Sequence, residues 1–271
     1  MKAKIQEKTH LIDVLEKLSP DSSKNTLKDW VKQGRVSIDG RRAVSWRQGV
    51  FPGQEIFVGP RVSFADEGLK ILYEDRYLVV LEKPEKLLSV ATLSENEMTV
   101  HSILKRRLSK MVYPVHRLDR DTSGVMLFAY TEEVCEELKK QFEKHSIERV
   151  YYARVEGIPS PGKGTWKSYL AEDDFYFVKS AAGGKLSITH YEVVDVKKGT
   201  ALVKFTLETG RKNQIRVHAS EAGHPIVGDL KYGAQSQRRR RLCLHAHTLG
   251  FYHPQKKKQM RFVSPLPSIF N

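Results

Sequence analysis

The sequence predicts an α+β protein in two parts: a small α+β domain over residues 1–60 and a larger one over 69–271 built on a mixed, mainly antiparallel sheet. Three observations predict this. Helix and hairpin signals crowd the first 60 residues. Beyond residue 69, extended segments rich in Val, Tyr, Phe and Thr outnumber helical ones. The 271 residues are 40% apolar and 9% aromatic, enough for folded cores rather than a basic disordered tail. The net charge of +14 calls for a polyanionic partner. Two distant cysteines, Cys135 and Cys243, form no C-x-x-C pair, which excludes a zinc ribbon, disfavours a disulfide scaffold and suits a reducing compartment. No apolar run is long enough for a bilayer, and Met1-Lys2-Ala3-Lys4 opens no signal peptide, so a cytoplasmic location is expected.

Residues 11–18 carry apolar groups at helical spacing, and Ser19-Pro20-Asp21 breaks that pattern. A second helix is predicted from about Ser23 to Gln33, with Gly34 ending it. V-S-I, Asp39-Gly40 and more extended sequence predict a hairpin; Pro52-Gly53 turns the chain, and E-I-F-V reads as a strand. Residues 61–68 are expected to be a linker. In the larger part, residues 71–83 read as strand, turn, strand. Residues 131–145 read as a helix with Glu132 and Glu133 at its start and lysines at its end. Residues 149–156, 186–195 and 200–208 read as strands.

Lys24, Lys28 and Lys32 recur every four residues and share one helix face; Arg35, Arg41, Arg42 and Arg47 follow. Spaced lysines usually mean a solvated face, but this density of cations favours an RNA-binding, phosphate-contacting surface. The string S-K-N-T-L-K-D-W-V-K-Q-G-R-V-S-I-D-G, with P-G-Q-E-I after it, resembles the small RNA-binding domain of ribosomal protein S-four and of many RNA-modifying enzymes. Arg238 to Arg241 and Lys256 to Lys258 are expected to extend a nucleic-acid surface.

The most distinctive string is H-R-L-D-R-D-T-S-G, residues 116–124. By residue type alone it sets an Asp, either Asp119 or Asp121, near cations at a sheet edge; a turn carboxylate capping its own backbone is the commoner fate of such an Asp. A phosphate-cradling Gly-x-x-x-x-Gly-Lys, an H-E-x-x-H and a G-x-S-x-G elbow are all missing, which leaves little for a serine hydrolase at Ser123. His245 and His247 could ligate a metal, although alternating strand histidines more often pack or hydrogen-bond.

The same string resembles the catalytic motif of RluA/RluD-type pseudouridine synthases, with Asp119 matching that family's invariable Asp. Other blocks follow in the family's order over nearly all of residues 69–263: L-Y-E-D-R-Y-L-V-V-L-E-K-P-E-K-L-L, R-V-Y-Y-A-R-V-E-G, G-R-K-N-Q-I-R-V-H, G-H-P-I-V-G-D-L-K-Y-G and L-H-A-H-T-L-G-F-Y-H-P. Departures are Lys212-Asn213 for the usual Thr-His, Arg149 for the usual Lys, and Lys86 for a usual Gly. The resemblance implies a bent sheet with flanking helices and a central cleft. It also implies roles: Asp119 catalytic, Arg117 in the gap left by a flipped nucleotide, Tyr151 stacking on uracil, Ile215 walling the base, and Arg216 partnering Asp119.

The implied reaction detaches uracil from ribose, turns it and rejoins it through carbon 5. No atoms are gained or lost, so no cofactor and no metal are expected. The uridine must leave its stack, at a cost of roughly a few kcal/mol. Asp119 must be ionised, either to attack the anomeric carbon or to take a proton from carbon 2 of the sugar; both routes stay open. Desolvation raises a carboxylate's pKa and a guanidinium opposes that. The expected substrate is ribosomal RNA of the large subunit. The alternatives are the same chemistry on transfer RNA, or a non-catalytic RNA-binding or ribosome-assembly factor. A monomer is expected.

Overall fold

The structure is a computed structural model that describes residues 1–32, 34–59, 68–91, 98–108, 110–235 and 241–270; the side chains of Lys32 and Arg42 also lie outside the description. The expected linker, apart from Gly68, and the arginine run, apart from Arg241, fall outside the described residues. Two compact units are defined: Met1–Gly68 with Ser102–Met111, and Leu69–His101 with Val112–Asn271. Residues 102–111, expected in the larger part, thus group with the smaller unit.

In the first unit the elements are β1 (Lys2–Lys4), β2 (Thr9–His10), α1 (Leu11–Leu18), α2 (Lys24–Lys32), β3 (Val36–Ile38), β4 (Arg41–Arg42), β5 (Gly49–Val50) and β6 (Glu55–Val58). The strands form a four-stranded sheet in the order β1-β6-β3-β4, and β2 pairs with β5. Leu11, Val14 and Leu15 of α1 meet Leu27 and Val31 of α2 over Val36, Ile56 and Val58, so one apolar stripe per helix builds the core. Gly34 ends α2 in the left-handed region at φ 73°. Asp39 and Gly40, at φ 51° and 77°, make the two-residue turn that sets Ile38 against Arg41.

The second unit contains β7 (Lys70–Glu74) and β8 (Leu78–Lys83), then β9 (Tyr113–Pro114), β10 (Ser123–Ala129), α4 (Glu132–Glu143), β11 (Glu148–Glu156), β12 (Lys163–Glu172), β13 (Val178–Ser180), β14 (Lys185–Lys197), β15 (Thr200–Leu207), α5 (Gln214–Glu221), β16 (Leu244–His253) and β17 (Lys258–Val263). Helix α3 (Val100–Leu108) bridges the sequence boundary between the units. Among the described residues one mixed sheet runs β13-β12-β14-β15-β11-β16-β10-β8-β7, with β17 on β16 and β9 on β10. Every pairing in it is antiparallel except β10 with β16.

That parallel seam explains the glycine of T-S-G. Gly124 sits at φ 121°, and a Cβ there would come within 2.1 Å of the Ala246 carbonyl oxygen, so only glycine lets the strands close up. All seven residues of β10 are buried. Thr131 caps α4 by accepting from the Val134 N–H at 3.3 Å, a contact worth about 1 kcal/mol. Register shifts at Val150/Tyr151 and Val193/Asp195 bend the sheet. Helix α5 buries Gln214 through Ala219 on every side, so it has no exposed stripe over those residues.

Candidate active site

Asp119 lies in the loop before β10, and its neighbours are pinned by main-chain contacts. Leu118 exchanges two hydrogen bonds with the Ser89 hydroxyl, its N–H donating at 3.0 Å and its carbonyl accepting at 2.8 Å. On the other side, the Lys83 ammonium donates to the carbonyls of Arg120 at 2.9 Å, Pro84 at 2.8 Å and Leu87 at 2.7 Å. Lys83 is fully buried, and desolvation pulls its pKa down to about 7 against the opposing pull of Asp121, Asp119 and Glu85. Asp119 is therefore aimed by a fixed backbone rather than by its own side-chain contacts alone. Lys86, where the resemblance leads one to expect glycine, adopts φ 63°, which explains that preference.

The Asp119 carboxylate accepts from Arg216 Nη1 at 3.4 Å. Arg216 is itself locked. Its Nε and Nη2 donate to the two Asp229 oxygens at 2.7 and 2.8 Å, and Nη1 also donates to Asn213 Oδ1 at 3.2 Å. This is the planar fork that lysine could not supply. Asn213, in the left-handed region at φ 55°, also donates to the Tyr232 hydroxyl at 2.9 Å. The Tyr232 ring lies 5.0 Å from the Arg216 guanidinium carbon. Burial disfavours the charged guanidinium, but bonding to Asp229 and the charges of Asp229 and Asp119 outweigh it and raise its pKa above the ordinary arginine value.

A cavity of about 510 Å³ opens beside this pair, lined by Arg117, Asp119, Tyr151, Ile215 and Arg216 among others. All five residues assigned to the reaction thus share one space, large enough for a nucleoside. Arg117 is exposed, Tyr151 half-buried and Ile215 buried. Tyr151 follows the β11 register shift, where Val150 faces Thr248 but Tyr151 faces Ala246; such a bulge re-aims a side chain. Burial, with help from Asp119 and against Arg149, raises the Tyr151 pKa, so its phenol stays protonated at neutral pH.

The other expected site residues lie in the first unit. Lys24 pairs with Glu16 at 3.1 Å, the Lys28 ammonium sits 4.6 Å over the Trp46 ring, and the Arg35 guanidinium sits 4.5 Å over Trp30. Arg41 is exposed; the side chains of Lys32 and Arg42 are outside the described set. His245 shares a 2.9 Å hydrogen bond with Ser123, and His247 shares one of 2.8 Å with Thr248. Among the described residues no group of three or more His, Cys, Asp or Glu side chains could hold an ion.

Sequence reasoning gave no role to Asp229, Asn213, Tyr232 or Lys83. Asp229 and Tyr232 stand in the G-H-P-I-V-G-D-L-K-Y-G block, so a search of the quoted blocks for a partner to the arginine could have found Asp229.

The half-buried Asp119 carboxylate, its Arg216 partner and the cavity beside them sit on this mixed sheet, and comparison with known proteins gives the class to which they belong. A family model described as RNA pseudouridylate synthase matches residues 77–221. Ribosomal large subunit pseudouridine synthase D of Pseudomonas aeruginosa is 31% identical, over 96% of this chain and 89% of the relative. The protein of the same name from Neisseria meningitidis serogroup B is 32% identical, over 94% of this chain and 75% of the relative. The solved structure of human RNA pseudouridylate synthase domain containing 4 superposes with a TM-score of 0.62 at 23% identity, over 74% of this chain and 89% of the other, and so shares the fold. The chain belongs to the RNA pseudouridylate synthase family. It is an isomerase that converts uridine to pseudouridine in RNA. No described helix is long and apolar enough to cross a membrane.

Proposed function

We propose that this isomerase acts on ribosomal RNA of the large subunit, in the cytoplasm, with Asp119 as its essential carboxylate. The observation that carries the Asp119 assignment is the carboxylate held 3.4 Å from a guanidinium that Asp229 fixes at two points, on the wall of a cavity of nucleoside size. The names of the Pseudomonas and Neisseria relatives support the large-subunit RNA reading.

The uridine leaves its stack and enters the cavity, and Arg117 braces the gap left behind. Tyr151 stacks on the uracil while Ile215 walls off water that could hydrolyse a ribosyl intermediate. Arg216 orients Asp119 at the sugar, where the carboxylate either attacks the anomeric carbon or takes the carbon-2 proton. The first unit adds affinity through Lys24, Lys28, Lys32, Arg35, Arg41 and Arg42, which neutralise phosphates outside the reaction.

Carbodiimide-dependent reverse-transcription stops, mapped in RNA from cells with and without the gene, test this reading. A stop in large-subunit RNA should vanish with the gene, return with the wild-type copy and stay absent with Asp119→Asn. A lost stop in transfer RNA instead would move the reaction to that substrate. An unchanged pattern would favour an assembly factor.

A further inference from the structure

The cavity holds an enclosed guanidinium that the reaction, as described, does not use. Arg149 is 7% exposed, yet it lines the same cavity as Asp119 and Tyr151. Its Nη2 donates to the Glu208 carbonyl at 2.6 Å and to that of Leu207 at 3.4 Å. Its Nε is buried with no hydrogen-bond partner. Its Nη1 crowds Gly210, where a Cβ would come within 2.5 Å of it, so that glycine leaves room for the guanidinium. Among the described residues no carboxylate pairs with Arg149. Glu143 lines the cavity but makes no ion pair with it, and the His116 ring stays neutral, its pKa pulled down to about 3 by burial and then by Arg149. Arg211, exposed on the same cavity, adds a second positive charge. An enclosed guanidinium without a counter-charge is disfavoured unless an anion meets it. The two carbonyl dipoles and the Phe142 ring, 5.6 Å from the guanidinium carbon, offset part of that charge, and an anion in the cavity would offset the rest.

We infer that Arg149, with Arg211, forms a subsite for one backbone phosphate of the RNA next to the everted uridine. The inference rests on the substrate reading above and deepens it: the enzyme grips the strand inside the reaction cavity, not only on its outer surface. The subsite fixes the sugar relative to Asp119, because the phosphate is joined to that sugar.

The probe is a synthetic RNA stem-loop with one uridine in its loop, made with a single neutral methylphosphonate at each phosphate flanking that uridine. Affinity is read by filter retention and conversion is read separately. For the wild type, one position should lower affinity ~10–100-fold, the range of a charge-assisted hydrogen bond. Arg149→Gln should show the same loss with unmodified RNA and no further loss at that position, while Arg149→Lys should recover much of it. The subsite is overturned if no flanking methylphosphonate weakens wild-type binding, or if Arg149→Gln remains as sensitive as the wild type. Equal losses for Gln and Lys with every RNA, together with a lower melting temperature, would leave Arg149 only its carbonyls and overturn it too. The expected affinity pattern without any conversion would count against the proposed reaction and still support the subsite.

Discussion

Asp229→Asn separates the partner that holds the arginine from Asp119, the acid proposed to meet the substrate. Asp229 is 2% exposed and binds Arg216 through both oxygens at 2.7 and 2.8 Å. An amide presents one oxygen and one NH2, and that NH2 faces a guanidinium that can only donate. One bond and the compensating charge are lost together. Breaking a buried ion pair in this way costs about 3 kcal/mol, at the low end for such pairs because one bond survives. For a unit of this size that lowers the melting temperature by roughly 10 °C. The released guanidinium is then drawn to its remaining carboxylate, Asp119, now 3.4 Å away. A tighter pair turns the Asp119 oxygens from the sugar, and a misplacement of about 1 Å costs about 100-fold in turnover. The assay is single-turnover conversion at saturating RNA beside a thermal melt. Loss of kcat with little change in KM is expected. Wild-type turnover in a folded Asp229→Asn protein would refute Asp229 as the holder of Arg216.

Lys83 predicts a pH dependence. Its pKa falls from 10.5 to about 7 on folding, so between those values the unfolded chain binds more protons and this residue's contribution to stability rises with pH. The stability difference between wild type and Lys83→Met should shift toward the wild type from pH 7 to pH 10 in urea melts; a constant difference would refute the assignment. In the first unit, Lys28→Gln combined with Arg35→Gln should flatten the plot of log affinity against log salt by ~1.4–1.8, the release expected for two phosphate contacts. An unaltered slope would remove these two cations from the RNA surface.

Much of the chain's local structure was legible because its signals are local. Helix α1 follows from apolar spacing, the end of α2 from Gly34, the β3–β4 turn from Asp39-Gly40, and α4 from its charge order. Strand β12 alternates in exposure, but K-G-T-W-K-S-Y-L-A-E holds no Val or Ile and so gives little strand signal in the sequence. Helix α5 could not be read from periodicity, because all its faces are covered between Gln214 and Ala219. Of the site, Asp119 stands out as a carboxylate among arginines, but the roles proposed for Tyr151 and Arg216 come only from family resemblance. Asp229 stayed hidden because pairing across 13 residues leaves no local pattern. Lys83 defied expectation, since lysines seldom lie fully buried.

The anchoring of residues 118 and 120 has a practical outcome. The main chain on either side of Asp119 is held by Ser89 and Lys83, not by the exposed arginines at 117 and 211. Substitutions at those rim positions therefore change how an RNA is gripped while leaving that loop's main chain in place.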